Sequence, residues 1–238
     1  MPVQAPYDYI RDYYRRSHEK NLRFPEITAF WQSALRGVRG ESVLNVGCGP
    51  QLYDYLPYFA EMPGEYLGLD INRHTFTFLE SADDARLLEA KARAAKAGTR
   101  VELLCGDVLD SGPELESRFD CVLGVGVIAT FAGARFEQLM AKLRGALKDQ
   151  GRLVKVTWHG PLRSAEETEK KLKYGFDNAQ EPSPEALAAR IERAGFEVQD
   201  NAVLKVVPRG YGWNAIQICT FRKLRTAVPQ TNKEVRHA

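Results

Sequence analysis

The feature that most constrains the fold is a short apolar run that ends in a glycine turn. Residues 43–50 read Val-Leu-Asn-Val-Gly-Cys-Gly-Pro, which is typical of a buried strand that passes directly into a turn and then a helix. Two glycines let the backbone approach a ligand closely, and Pro50 suits the first turn of a helix. The run predicts a ligand-binding strand end, although a tight turn without a ligand has the same pattern.

Apolar runs and helical patterns alternate after this turn. Strands are predicted over 42–46, 66–69, 101–104, 120–125 and 153–157, and helices over 51–60, 75–97 and 134–147. This alternation indicates a parallel sheet with helices on both faces. After a helix at 184–194, the runs 196–207 and 214–221 should pair antiparallel across their loop. The prediction is an α/β, Rossmann-like fold whose seven-stranded sheet is mostly parallel with an antiparallel last strand.

The flanking segments give the expected domain organisation. Helices predicted at 7–20 and 25–38 make residues 1–40 an N-terminal helical lid. The ligand-binding domain is expected over 41–225, with a cap insertion at 160–182, which is polar and carries no strand signal. Residues 226–238 carry few apolar side chains and are expected to form a disordered tail.

Composition bears mainly on partners. The 238 residues include 33 Lys and Arg against 31 Asp and Glu, a formal net charge of +2, so no basic field favours nucleic acid or a membrane surface. A small-molecule ligand is the expectation, for a monomer or homodimer.

The N-terminus has no signal-peptide pattern, which predicts a cytoplasmic protein. The four cysteines are isolated in sequence, so buried reduced thiols are expected and no metal site is predicted.

Acidic residues follow the second and third predicted strands. Asp70 stands 21 positions after Gly49, where an acid accepts hydrogen bonds from ribose hydroxyls. Gly106, Asp107 and Val108 follow the next strand and suit an adenine amine and ring nitrogen. The third glycine of a dinucleotide loop is missing, which disfavours NAD and FAD. The spacing predicts a nucleoside ligand, although each aspartate alone is an ordinary turn residue.

The order of these motifs resembles class I S-adenosylmethionine-dependent methyltransferases. The four similar stretches are 43–50, 67–72, 105–108 and 119–127. The resemblance implies that fold, S-adenosylmethionine as cofactor and S-adenosylhomocysteine as product. It further implies that the cofactor is held by Asn45, Gly47, Cys48, Gly49, Pro50, Asp70, Ile71, Asn72, Gly106, Asp107, Val108 and Gly124.

A narrower resemblance is to the nicotinamide, phenylethanolamine and thioether N-methyltransferases. It is carried by residues 8–14, 49–53, 120–123 and 222–224. It implies that Tyr9 borders the acceptor and that Tyr14 and Tyr53 touch the methionine end of the cofactor. Asn45 replaces the usual acid of the first strand. Trp158 and His159 stand near the place of an acceptor-binding Asp in the nicotinamide enzyme, so another acceptor is expected.

Aromatic side chains at three separate segments indicate a flat acceptor. Tyr9 and Tyr13 lie in the first predicted helix, 7–20, which we call the leader. Trp158 follows the fifth predicted strand, and Tyr211 and Trp213 lie in the loop between the last two predicted strands. A leader helix simply packed on the sheet would have the same tyrosines. The predicted function is methyl transfer to a nitrogen of a small amine or N-heterocycle, mainly by proximity and desolvation.

Two residues are the candidates for a direct catalytic role, Tyr9 and His159. Alternative functions are an O-methyltransferase that uses His159 as general base and a non-catalytic S-adenosylmethionine-binding protein. For a neutral nitrogen acceptor a general base is optional. For a hydroxyl acceptor a base is needed, and His159 is the histidine predicted to lie at the ligand edge.

Overall fold

The structure is a computed structural model that describes residues 4–23, 25–36, 42–159, 183–205 and 215–224. The strands are β1 (Ser42–Val46), β2 (Glu65–Asp70), β3 (Arg100–Cys105), β4 (Phe119–Val125), β5 (Leu147–His159), β6 (Phe196–Lys205) and β7 (Ala215–Lys223). The helices are α1 (Tyr7–Arg23), α2 (Pro25–Arg36), α3 (Arg73–Ser81), α4 (Ala85–Lys96), α5 (Gly133–Ala146) and α6 (Pro184–Arg193). The predicted cap insertion, 160–182, and the predicted tail, 226–238, both lie outside the described residues.

All seven described strands form one sheet in the spatial order β3-β2-β1-β4-β5-β7-β6. Strands β1 to β5 pair in parallel, whereas β7 runs antiparallel to both β5 and β6. This arrangement confirms the predicted fold class. Because β1 and β4 lie at the centre of the parallel part, their carboxyl ends meet at one edge with the end of β2.

The side chains of each strand alternate between two apolar cores. Val43 points into the core covered by α1 to α4, together with Tyr66 and Leu123. Leu44 points into the opposite core, which holds apolar residues of α5 and α6. A sheet buried on both faces explains why the central strands read as continuous apolar runs rather than as alternating ones.

Two predicted helices differ in the structure. The helix expected over 75–97 is two helices, because Asp84 accepts hydrogen bonds from the backbone N–H groups of Arg86 and Leu87 and so begins α4 anew. The helix expected over 51–60 is a 3₁₀-helical segment, Gly49–Tyr58, which contains Pro57. Pro57 has no N–H to donate, which disfavours a regular α-helix there.

The cysteine expectation is partly wrong. Cys48, Cys121 and Cys219 are buried free thiols, as expected, but Cys105 is exposed. It ends β3, which is an edge strand of the sheet and is therefore only partly covered. No helix in the described ranges is long and apolar enough to cross a bilayer.

Candidate cofactor and acceptor site

The two glycines of the turn after β1 have different environments. Both have positive φ, +59° for Gly47 and +55° for Gly49, a conformation that side chains other than glycine rarely adopt. A Cβ on Gly47 would lie 2.7 Å from Cγ2 of Val127, so the turn packs tightly against the segment after β4. A Cβ on Gly49 would meet nothing within 4 Å. The turn is therefore closed at Gly47 and open at Gly49.

Asp70 joins this turn to the end of β2. Its Oδ2 accepts a hydrogen bond from the backbone N–H of Gly49 at 2.9 Å, and its Oδ1 accepts one from the N–H of Asn72 at 2.8 Å. Burial raises the pKa of Asp70, and the two backbone hydrogen bonds oppose that shift. Each carboxylate oxygen can accept a further hydrogen bond. Asp70 is thus rigidly held and retains acceptor capacity.

Asp107 lies two residues after the end of β3. Its Oδ1 accepts a hydrogen bond from the N–H of Leu109 at 2.9 Å, and its Oδ2 lies 3.5 Å from the guanidinium of Arg135. Gly106 donates its N–H to the carbonyl of Asp70 at 3.0 Å, and a Cβ there would meet nothing within 4 Å. Val108 is buried below. The ends of β2 and β3 thus border one open region beside Gly49.

Ile71 and Asn72 have environments that the resemblance did not foresee. Ile71 is 45% exposed on the rim of the site. The Asn72 side chain donates through Nδ2 to the carbonyl of Ala5 and accepts through Oδ1 from the N–H of His74, both at 3.0 Å. The implied role of Asn72 as a ribose ligand stays a prediction, and in this structure both ends of its amide bind protein groups.

Asn45 and Gly124 lie inside the sheet rather than over the turn. Asn45 is fully buried, and its Nδ2 donates to the Tyr66 hydroxyl at 2.9 Å. Its implied role in holding the cofactor stays a prediction, and in this structure the side chain faces the core covered by the 3₁₀ segment. A Cβ on Gly124 would lie 2.6 Å from Cδ1 of Ile128. Gly124 therefore allows the segment after β4 to pack closely.

Cys48 and Pro50 complete the turn as buried residues. Cys48 donates its backbone N–H to the carbonyl of Leu69 at 3.2 Å, and burial raises the pKa of its thiol. Pro50 stands in the first turn of the 3₁₀ segment, as its fixed φ predicts. Both residues shape the turn through the backbone.

Tyr14 packs beside the 3₁₀ segment, and Tyr53 belongs to that segment. Tyr14 is 1% exposed, lies with its ring centroid 5.1 Å from that of Phe78, and donates its hydroxyl to Asp54 at 3.3 Å. The Tyr53 ring lies 6.0 Å from the ammonium of Lys91 on α4. The implied contact of both tyrosines with the methionine end of the cofactor stays a prediction.

Tyr9 and Tyr13 form the aromatic surface of the leader. Their rings are stacked, with centroids 6.4 Å apart and planes inclined by 15°. They are 41% and 38% exposed, which is unusual for large aromatic side chains. Trp158 and His159 end β5 opposite Ile216 and Ala215 of β7, and their side chains fall outside the description. Tyr211 and Trp213 also lie beyond the described ranges.

A fully buried lysine and a half-buried aspartate were missed by the sequence analysis. Lys155 is fully buried in β5, in register between Gly124 of β4 and Cys219 of β7. A lysine inside the apolar run 153–156 was the available signal. Asp54 lies in the 3₁₀ segment, and its Oδ2 is buried with no hydrogen-bond partner among the described residues. Sequence pattern gave no signal for Asp54, because its burial depends on α1 and α4.

The chain is similar in sequence to a known protein family. Residues 44–155 match the model of a methyltransferase domain family. Residues 44–155 are thus similar in sequence to methyltransferase domains. This match includes the glycine turn, Asp70 and Asp107, and it indicates S-adenosylmethionine as the cofactor. No curated protein matches the chain by sequence.

Solved structures share the fold of this chain. A Haloferax volcanii protein, solved in complex with a methyltransferase activator, has a TM-score of 0.64 at 14% identity, covering 94% of this chain and 100% of its own. The 1,6-didemethyltoxoflavin-N1-methyltransferase of Burkholderia thailandensis, solved with S-adenosylhomocysteine, has a TM-score of 0.55 at 21% identity, covering 94% and 93%. A mitomycin 7-O-methyltransferase has a TM-score of 0.54 at 20% identity, covering 88% and 57%.

The carboxyl edge of the sheet has room and hydrogen-bond acceptors for this cofactor. Gly49 and Gly106 leave space where a Cβ would otherwise stand, and Asp70 between them holds acceptor oxygens for a diol. Within the described ranges, no group of three or more His, Cys, Asp and Glu is placed to bind a metal ion.

The buried carboxyl of Asp54 predicts a pH-dependent stability. Burial raises the pKa of Asp54 to about 7 from an ordinary value of 3.8, while the Tyr14 hydrogen bond and the charge of Arg86 lower it and the charge of Asp84 raises it. Between these pH values the folded chain keeps a proton that the unfolded chain has lost. The free energy of unfolding should therefore fall as the pH rises from about 4 to about 7, by at most about 4 kcal/mol.

The test is Asp54→Asn, which removes the titration and keeps the shape. Urea unfolding at pH 5 and pH 8 should show the wild type losing stability relative to the variant at the higher pH. The variant should be the more stable protein at pH 8. Equal pH dependence of the two proteins would show that Asp54 is ionised in the folded chain.

Proposed function

We propose that the chain is an S-adenosylmethionine-dependent methyltransferase that methylates a nitrogen of a small amine or N-heterocyclic acceptor. The observation that carries the proposal is the Asp70 carboxylate, fixed by the N–H groups of Gly49 and Asn72 beside open space at the sheet edge. An acid held in this way suits the two hydroxyls of a ribose.

Different residues of the chain then bind different parts of the cofactor. Asp70 accepts from the ribose hydroxyls, and Asp107 with the backbone of Val108 binds the adenine edge. The turn from Gly47 to Gly49 accommodates the methionine part, because a side chain at Gly49 would point into that space. When bound, S-adenosylmethionine supplies a methyl group on a sulfonium that a nucleophile can displace in line.

The stacked rings of Tyr9 and Tyr13 are the proposed acceptor surface. Their exposed faces can pack on a planar acceptor and exclude water from it. Aromatic faces also attract a cationic sulfonium, which favours the same location for both substrates. Trp158, Tyr211 and Trp213 remain candidates for the opposite wall. A pocket built from rings suits a small molecule better than a polymer.

The hydrogen bonds that the carboxylates at this edge already accept favour a nitrogen acceptor over an oxygen acceptor. Both oxygens of Asp70 accept backbone hydrogen bonds, while Asp107 accepts one and lies beside Arg135. Neither is well placed to remove a proton from a hydroxyl acceptor. A neutral nitrogen can attack without prior deprotonation, so positioning can supply most of the catalysis.

O-methylation with His159 as the base is the second candidate, since His159 ends β5 at the same edge as Asp70. Similar folds carry both chemistries, an N1-methyltransferase and a 7-O-methyltransferase. A cofactor-binding protein without transferase activity is the third candidate. The exposed tyrosine pair speaks against it, because a nucleoside carrier needs no second aromatic surface.

The first prediction of this function concerns cofactor affinity. Asp70→Ala should weaken S-adenosylhomocysteine binding by about 1.5–3 kcal/mol, roughly tenfold to a hundredfold in Kd, because it removes charged acceptors from the ribose hydroxyls. Isothermal titration calorimetry measures this. Asp83→Ala, which replaces an exposed aspartate between α3 and α4, is the matched control and should bind normally. An unchanged Kd in Asp70→Ala, or tight NAD binding by the wild type, contradicts the proposal.

The second prediction separates nitrogen from oxygen acceptors. With an amine or N-heterocycle as acceptor, His159→Ala should keep kcat within about threefold of wild type, because no base is required. Mass spectrometry of the product identifies the methylated atom, and His159→Asn serves as the shape control. A loss of about a hundredfold or more in both variants, with an O-methylated product, would establish the second candidate instead.

A further inference from the structure

The segment that precedes α1 is hydrogen-bonded to the loop that carries Asp70. The carbonyl of Ala5 accepts from Nδ2 of Asn72 at 3.0 Å, and the Nε2 of Gln4 donates to the carbonyl of Ile71 at the same distance. These partners lie 67 residues apart in sequence. Residues 4–6 therefore form a strap that joins the N-terminal helix to the β2–α3 loop.

Asn72 is the residue through which the strap is joined. Its Oδ1 accepts from the N–H of His74, so that it caps the N-terminus of α3. Its backbone N–H donates to Asp70, and its Nδ2 donates to Ala5. The residue is only 9% exposed. All three of these groups bind protein, so each has a defined geometry.

A continuous series of hydrogen bonds runs from the strap to the glycine turn. It passes from Ala5 through Asn72 to Asp70, and from Asp70 to the N–H of Gly49. The helix α1 also rests on α3, with the rings of Tyr7 and Tyr14 centred 6.1 Å and 5.1 Å from that of Phe78. Asn72 thus lies where the strap, the cap of α3 and the proposed ribose acid meet.

We propose that Asn72 is a positioning residue that couples docking of the N-terminal strap to cofactor binding, and that it does so without contacting the cofactor. The proposal rests on the proposed function. A ribose bound to Asp70 fixes the carboxylate that holds the N–H of Asn72, and this favours the Nδ2 bond to Ala5. By thermodynamic reciprocity, a docked strap strengthens cofactor binding to the same degree.

The two roles of the Asn72 side chain can be separated by substitution. Asn72→Ser keeps an oxygen that caps α3 about as well as asparagine does, together with the backbone N–H to Asp70. Its shorter side chain cannot reach the carbonyl of Ala5. A chain that lacks residues 2–6 has no carbonyl at the position of Ala5, so it removes the strap and leaves Asn72 unchanged. The double variant closes a thermodynamic cycle between the two.

The readouts are the dissociation rate of S-adenosylhomocysteine by stopped flow and amide hydrogen exchange over residues 7–14. Either single variant should dissociate about fivefold to tenfold faster than wild type, the effect of one or two hydrogen bonds. Adding Asn72→Ser to the truncated chain should change the rate less than twofold. The cofactor product should slow exchange in α1 of the wild type and fail to do so in Asn72→Ser.

Additive effects in the double variant would overturn the proposal, because Asn72 would then act on the cofactor directly. An unchanged dissociation rate in Asn72→Ser would overturn it as well. A wild type that does not bind S-adenosylhomocysteine contradicts the proposed function itself, whereas wild-type binding with unaltered variants contradicts only the coupling.

Discussion

The carboxylate of Asp70, bonded to backbone N–H groups of two different loops, is the interaction on which the site depends. One N–H belongs to Gly49 in the turn after β1, and the other to Asn72 in the loop after β2. Burial of a charged group is unfavourable, and these hydrogen bonds offset part of that cost. Because both bonds end on one side chain, neither loop can move without breaking a bond to the other.

The parallel register explains why residues far apart in sequence meet at this carboxylate. Val46 pairs with Leu69 on one side and with Gly124 on the other, and Asp70 pairs with Cys105. Each strand therefore ends at the same edge, and the residue after each end faces the same space. Close packing requires glycine at Gly47 and Gly124, whereas positive φ favours glycine at Gly49, which borders open space. Glycine thus allows close packing behind the turn and leaves open space at the site.

The sequence was informative where local pattern determines structure. The apolar run and its glycine turn fixed β1 and the turn, and the position of Asp70 followed from the spacing alone. Side-chain partners could not be predicted in this way. Tyr14 binds Asp54, and Asn72 binds Ala5, through tertiary contacts between segments 40 and 67 residues apart. The exposure of Cys105 likewise depends on strand order, because an apolar run does not reveal that its strand lies at a sheet edge.

A crystal structure of the full chain with S-adenosylhomocysteine tests the central claim most directly. The account predicts that both ribose hydroxyls lie within hydrogen-bond distance of the Asp70 carboxylate while Gly49 and Asn72 keep their bonds to it. The Asn72 side chain should still bind Ala5 and His74. A ribose bound elsewhere, or an Asp70 that has released the glycine turn to reach it, would contradict the account.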